Sequence, residues 1–123
     1  MAINQIYLTG TTDASGDLVV NSISSIFGFL YKVDWVDGGF DDGVDATLTV
    51  TGRTQTAITK TLLTLTDAND DADYYPREYA DTVAGAENTS FSEYPLIDGY
   101  LTMTVASGGN KKAGGGMLIT YFT

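Results

Sequence analysis

Alternation of apolar and polar residues dominates the chain and predicts β-strands. In the stretch "YLTMTVA", the apolar Leu101, Met103 and Val105 alternate with threonines, and "ATLTVTG" from Ala46 onward repeats the pattern. Alternation with a period of two marks a strand with one buried face, and threonine and β-branched residues suit such a half-buried surface. No window of about 11 residues shows a helical stripe. The pattern therefore predicts an all-β protein.

About eight segments carry a strand pattern, separated by turn residues at the spacing of a sandwich or barrel. The clearest are residues 5–10, 17–21, 26–36, 46–52, 57–66, 100–106 and 117–122. In residues 57–66 the apolar parity changes between Ile58 and Leu63, which predicts a β-bulge. Residues 117–122 are apolar on both faces, so we expect a central or covered strand.

The longest segment reads "IFGFLYKVDWV" and is expected to cross the centre of the core. All its odd positions, from Phe27 to Trp35, are bulky and apolar. Its even positions change from apolar at Ile26 and Leu30 to charged residues further along. Residues 80–95 differ from it: they are mostly small and polar and predict a long loop.

The length and the absence of a linker or repeat predict one domain, residues 1–123. A chain of this size buries roughly 65% of its unfolded surface, which is enough for a core without disulfides. The predicted fold is a β-sandwich with about eight strands, and a jelly-roll-like arrangement is one form of it.

Composition excludes several classes of function. The chain contains no histidine and no cysteine, which removes the commonest general base, the commonest transition-metal ligand and every thiolate. A net charge of -10 disfavours binding to nucleic acid and to anionic membranes. The first residues predict no secretion signal, and no segment is long enough to span a membrane. We therefore expect that the protein is not an enzyme and that it has no catalytic residue, no cofactor and no resident metal.

Two aspartate-rich stretches raise the question of calcium. "VDWVDGGFDDGVDATLTV" holds five aspartates among glycines, and "TDANDDADYYPREY" holds four more. Calcium needs six to eight oxygen ligands, but neither stretch follows the EF-hand or the repeat-in-toxin pattern. Turns between strands also require Asp and Gly, so we interpret both stretches as turns and keep a loose calcium site as the alternative.

Five residues are candidate partner contacts: Tyr74, Tyr75, Arg77, Lys111 and Lys112. Tyrosine and arginine are enriched among interface anchors. The alternative is internal, with a tyrosine capping the core and Arg77 in a salt bridge. After Asp98 the chain holds no acid. We therefore expect this acid-poor block and the Tyr–Pro–Arg rim to face a partner, and the aspartate loops to face water.

Four short blocks, in a fixed order, carry a family resemblance. They comprise Tyr75, Pro76 and Arg77; Asp81, Thr82, Gly85 and Ala86; Pro95, Leu96, Asp98 and Gly99; and Gly108, Gly109, Lys112 and Gly114. With the upstream "DGVDATLTVTG", they resemble small proteins encoded among the head genes of tailed bacteriophages. The resemblance covers about two thirds of the chain, from Asp42 onward. The chain departs from the family pattern in its second lysine, Lys111, and in its denser aspartate loops.

The resemblance implies a capsid decoration, or cement, protein on the outer surface of the phage capsid. Its partner would be the major capsid protein, and it would act as a homo-oligomer, a dimer or a trimer, that stabilises the head. One alternative is a head–tail connector or tail component. Another is a calcium-dependent carbohydrate-binding module, in which Trp35 and tyrosines stack on sugars.

Overall fold

The computed structural model describes residues 1–81 and 87–123, and for residues 79–81 and 87–91 it describes the backbone alone. Every regular element in these ranges is a β-strand, which confirms the all-β prediction. The strands are β1 (Ile3–Thr9), β2 (Leu18–Asn21), β3 (Ile26–Val36), β4 (Asp45–Thr51), β5 (Thr59–Leu65), β6 (Ala72–Tyr74), β7 (Glu78–Asp81), β8 (Glu87–Glu93), β9 (Leu96–Ala106) and β10 (Gly116–Phe122). The described ranges contain no helix of the length and apolar character needed to cross a membrane.

Eight of the strands form one continuous antiparallel sheet. Its path is β1-β10-β3-β9-β4-β5, with β2 added on β9 and β6 added on β3. Strand β9 connects the two halves, because its first residues pair with β3 and its later residues pair with β4. This connection is compatible with the expected sandwich, in which two half-sheets would share β9. Strands β7 and β8 pair with each other as a separate hairpin.

Gly99 lies where β9 changes partner. It pairs with Ile26 of β3, and the next residue, Tyr100, pairs with Thr51 of β4. Its φ of 153° lies in a region that residues with a side chain rarely adopt, and a Cβ atom here would overlap the Thr51 carbonyl oxygen. The crossing of β9 from one half of the sheet to the other therefore depends on glycine.

One hydrophobic core joins both halves of the sheet. Val33 and Ile119 from one half and Leu48 from the other are fully buried in the same cluster. Trp35 is also buried, stacks on Phe40 at 5.7 Å between ring centroids, and donates its indole N–H to the Ala68 carbonyl at 2.9 Å. The only tryptophan is thus a core residue, which contradicts the stacking on sugars that the carbohydrate-binding alternative gave it.

Two predictions about individual strands are confirmed. The bulge expected between Ile58 and Leu63 is at Leu62, because Leu48 pairs with Leu63 and Thr49 pairs with Thr61. Strand β10, apolar on both faces, is central and pairs with β1 on one side and β3 on the other.

A second bulge, which was not predicted, divides β3. Lys32 pairs with Thr120 of β10 and Leu30 pairs with Tyr121, so Tyr31 is the extra residue. A bulge of one residue reverses which side chains point to the core. Before it the buried positions include Leu30, and after it they include Val33. The aromatic residues of the first half of β3 therefore face away from the core.

The loop predicted for residues 80–95 is wrong for residues 80–81 and 87–93, and its residues 82–86 lie outside the described residues. Strands β7 and β8 lie there as an antiparallel hairpin, with Glu78 opposite Glu93 and an irregularity after Tyr79. In the described ladders these two strands pair only with each other, and the sequence of β8 shows no apolar alternation.

Candidate functional site

A continuous set of aromatic side chains, with one arginine among them, covers the outer face of β3 and β10. This is the face that points away from the core. We call it the aromatic surface. It consists of Phe29 and Tyr31 from β3, Phe122 from β10, Tyr75 and Arg77 from the segment after β6, and Tyr94 from the segment before β9.

The rings of the aromatic surface are in contact with one another. Tyr94 meets Phe122 edge-on at 5.0 Å between centroids, and Tyr31 meets Tyr75 edge-on at 5.7 Å. Phe29 lies 5.8 Å from Phe122, and Tyr31 lies 6.2 Å from Tyr94. All four separations lie in the range of aromatic contacts, and the two edge-on pairs have a preferred geometry. The contacts hold the five rings in one defined arrangement.

Four of these five rings are exposed to solvent, and Phe122 is half-buried. Tyr75 is 52% exposed, Phe29 is 41% exposed, and Tyr31 and Tyr94 are each 40% exposed. Leu96, the opposite residue of Phe29 in the β3–β9 ladder, is also exposed. Single exposed apolar residues are ordinary on a protein surface. A contiguous group of them, however, is typical of a binding surface.

Arg77 lies within the aromatic surface and is held there by its guanidinium group. One nitrogen donates hydrogen bonds to the Tyr31 carbonyl at 2.9 Å and to the Pro76 carbonyl at 2.7 Å. The guanidinium carbon lies 4.2 Å from the centroid of the Tyr94 ring and 5.7 Å from that of Tyr31, within the range of cation–π contacts. The positive charge is thus fixed between two tyrosines.

Two shallow grooves flank the contact between Tyr94 and Phe122. The first, about 350 Å³, is also lined by Met1 and Ile3 at the start of β1 and by Thr120 of β10. The second, about 420 Å³, extends towards the β7–β8 hairpin and is lined by Phe29, Glu78, Glu93 and Leu96. The pair of rings forms the ridge between two depressions, which is a shape that can interlock with a partner.

The structure separates the five predicted partner contacts. Tyr75 and Arg77 belong to the aromatic surface, whereas Tyr74 packs partly buried against the core. Lys111 and Lys112 lie in the turn that joins β9 to β10. This turn lies at the start of β10, whereas the aromatic surface includes Phe122 at the end of β10. The lysines and Arg77 therefore do not share a surface.

The turn that carries Lys111 and Lys112 packs against the first aspartate loop, residues 37–44 between β3 and β4. The expectation that this turn and this loop face different ways is therefore wrong. The Lys112 ammonium lies 3.6 Å from an Asp41 carboxylate oxygen. The Asp41 N–H donates to the Gly108 carbonyl at 3.0 Å, and the Gly39 N–H donates to the Ala113 carbonyl at 2.9 Å. The acid-poor turn thus neutralises part of the acidic loop beside it.

The two aspartate loops bind each other through backbone amides. Asp71 accepts a hydrogen bond from the Asp37 N–H at 2.8 Å, and Asp45 accepts one from the Asp67 N–H at 3.0 Å. Asn69 accepts a third, from the Gly43 N–H at 2.7 Å. Within the described ranges, no three acidic side chains are grouped so that they could hold a metal ion. The loops use their oxygen atoms as turns do, to accept hydrogen bonds from main-chain N–H groups.

Asp34 of β3 and Asp73 of β6 form a pair of aspartates across two neighbouring strands. Asp34 is directly opposite Asp73 of β6 and 3.4 Å from the Lys32 ammonium. Burial raises the pKa of Asp34, and its hydrogen bond with Asp73 and the charge of Asp73 raise it further, although Lys32 opposes the shift. A carboxyl group whose pKa is raised by folding stabilises the folded state at low pH. That contribution is lost as the pH rises from the unfolded pKa through the folded pKa. At a pH above its folded pKa, Asp34 therefore destabilises the fold.

The comparisons with known proteins gave no match: no family model, no curated protein and no solved structure is similar to the chain.

Proposed function

We propose that this chain is a structural protein of a tailed-phage head, a decoration protein that binds the major capsid protein lattice through the aromatic surface. The observation that carries the proposal is the contiguous group of five rings around Arg77, four of them exposed and Phe122 half-buried. Aromatic residues and arginine are the side chains that contribute most to binding energy in protein interfaces. The family resemblance supplies the class of partner.

The aromatic surface suits tight binding because it is ordered before the partner arrives. Phe29, Tyr31 and Phe122 are on paired strands, and Arg77 is fixed by two hydrogen bonds. Ordering a long side chain on binding costs about 0.5–1.5 kcal/mol. Contacts between neighbouring rings reduce that cost. A rigid surface without reactive groups is what a protein needs when its task is to hold a lattice together.

Charge favours this surface over the opposite end of the sheet. Glu78 and Glu93 lie at the side of one groove, but the ridge itself carries the cation of Arg77. The first aspartate loop lies against the β9–β10 turn, and the second is hydrogen-bonded to the first. They keep the chain soluble without opposing a shell that meets the aromatic surface.

Two alternative functions predict different experimental results. A head–tail connector would use the same surface in a ring of about a dozen copies. A carbohydrate-binding module could use the exposed tyrosines, but its proposed central platform, Trp35, is 1% exposed and hydrogen-bonded inside the core.

Binding of single-site variants to purified heads tests the proposal. The chain offers a matched pair, since Tyr94 and Tyr100 are both tyrosines of 40% exposure, and Tyr100 is on the other half of the sheet. Tyr94→Ala should weaken binding at least tenfold, because truncating a central anchor costs about 2 kcal/mol or more. Tyr100→Ala should bind as the unmodified chain does. Equal occupancy for the two variants, both folded by circular dichroism, would refute the aromatic surface as the docking site.

A further inference from the structure

Strand β1 has a free edge. On its paired side, the Ala2 N–H donates to the Thr123 carbonyl at 3.2 Å and the Thr123 N–H donates to the Ala2 carbonyl at 3.0 Å. Hydrogen-bonded pairs alternate along an antiparallel ladder, so the even-numbered residues of β1 bond to β10. The backbone groups of Ile3, Gln5 and Tyr7 therefore point outward, and no ladder among the described strands uses that side.

The other free edges of the sheet carry features that prevent pairing, and β1 does not. Strand β5 has a bulge at Leu62 and the charged Lys60, which pairs with Glu78. Strand β2 has four residues, and β6 has three and is soon followed by Pro76. Charges, bulges, prolines and short length are the usual protection of edges. The seven residues of β1, "INQIYLT", contain no charge, no proline and no bulge.

The outward residues of β1 are complementary to those of a second copy. Suppose that two β1 edges meet antiparallel about a two-fold axis at Gln5. Gln5 of one copy then lies opposite Gln5 of the other, and on each side of the axis Ile3 of one copy lies opposite Tyr7 of the other. Each of these three pairs exchanges two hydrogen bonds, about six in total. Ile3 is 73% exposed and Tyr7 is 44% exposed in one copy, and each would gain a cross-strand apolar partner.

Charge also selects a second copy as the occupant. A chain of net charge -10 repels its own copies over most of its surface. The first charged side chain in the sequence is Asp13, so two β1 edges can approach without placing like charges opposite each other. A closed two-fold contact, which uses the same residues on both copies, is the commonest arrangement of homo-oligomers.

We propose that the chain forms a two-fold symmetric dimer by antiparallel pairing of β1 with β1 of a second copy, centred on Gln5. The two sheets become one continuous sheet. Residues that are opposite each other point to the same face, and Ile3 also lines the groove beside Tyr94 and Phe122. The dimer therefore presents both aromatic surfaces on one side. If the proposed function holds, that arrangement lets one dimer bind two shell sites at once, with the gain in apparent affinity of a bivalent ligand.

Opposite charges introduced at the two-fold axis test this pairing. Gln5→Lys places two ammonium groups opposite each other, and Gln5→Glu places two carboxylates. Each variant alone should dimerise at least about tenfold more weakly than the unmodified chain in sedimentation equilibrium. An equimolar mixture should recover dimers, because lysine then faces glutamate. Gln55→Lys, the same change in an exposed turn, serves as the matched control and should leave the dimer unchanged.

Three results would overturn the pairing: a monomeric unmodified chain at micromolar concentration, charged variants that dimerise normally, or a mixture that recovers nothing. Should a charged variant lose its fold by circular dichroism, Gln5→Cys replaces it. The chain has no other cysteine, so mild oxidation should yield a covalent dimer from this variant and none from Gln55→Cys. Failure of head binding in a protein that still dimerises would reject the proposed function and leave this inference intact.

Discussion

Replacing Arg77 with alanine should destabilise the fold by about 1–1.5 kcal/mol, which is a large effect for an exposed side chain. The hydrogen bond to the Tyr31 carbonyl joins segments that are 46 residues apart. Such a bond contributes about 0.5–1 kcal/mol when solvent competes for it. The cation–π contact with Tyr94, at 4.2 Å, adds about 0.5 kcal/mol at an exposed site. The bond to the Pro76 carbonyl is local and adds little.

Urea denaturation followed by tryptophan fluorescence measures this change, because Trp35 is buried in the folded chain. We expect a lower midpoint with an unchanged slope. Arg77→Lys should recover only part of the loss, since an ammonium group cannot stack on a ring and bond to a carbonyl with the same planar geometry.

Arg53→Ala provides the control. Arg53 forms an ion pair with Asp98 at 3.4 Å, but both side chains are about half exposed, and such pairs contribute little. If Arg77→Ala changes stability by no more than Arg53→Ala does, the guanidinium is not held within the aromatic surface, and the argument that this surface is ordered in advance fails.

Other perturbations give further expected results. Asp34→Asn should stabilise the fold at pH 7 by about 0.2–1 kcal/mol, as expected when like charges opposite Asp73 are removed. Because the pKa of Asp34 is raised in the fold, this gain should shrink as denaturation is repeated at lower pH, towards the usual carboxyl range near about 4; a gain independent of pH would contradict the assigned cause. Leu48→Ala should cost about 3 kcal/mol in the same assay, since the side chain is fully buried, and a loss below about 1 kcal/mol would contradict the described core. Gly99→Ala should prevent stable folding, because its Cβ would overlap the Thr51 carbonyl oxygen; a native-like denaturation curve would show that the change of partner in β9 is not as described. Added calcium should leave the midpoint of thermal denaturation unchanged, and a rise that a chelator reverses would favour the calcium alternative.

The strand content was predictable because most strands have one buried and one exposed face. Alternation located β4 and the second half of β9, and the parity change between Ile58 and Leu63 located the bulge of β5. The β7–β8 hairpin was not predictable in this way, because its sequence is mostly small and polar and lacks the apolar alternation of the other strands. In the described ladders it pairs with none of those strands.

The candidate site was predictable only in part. Tyr75 and Arg77 were found because tyrosine and arginine next to proline are conspicuous in the sequence. The other residues of the aromatic surface were missed, because the bulge at Tyr31 turns the first aromatic residues of β3 away from the core. This bulge depends on pairing with β10, which lies about 90 residues further along the chain. One signal was present: the even positions of β3 change from Ile26 and Leu30 to Lys32 and Asp34. A strand whose two faces exchange character within its length contains a bulge or a bend.

Lys111 and Lys112 illustrate the opposite error. An acid-poor sequence block suggested a free basic tip, but the fold brings an acidic loop from another part of the chain against it. Charge along a sequence predicts charge on a surface only when the neighbouring segments in space are also known.

The proposed function is tested most directly by electron cryomicroscopy of tailed-phage heads that carry this chain. The account predicts density for the chain on the outside of the shell, repeated on the order of hundreds of times by the icosahedral lattice. It also predicts that Phe29, Tyr94 and Phe122 lie against the major capsid protein and that the aspartate loops lie in solvent. Density confined to a ring at one vertex or in the tail, or shell contacts made by the β9–β10 turn instead, would contradict it.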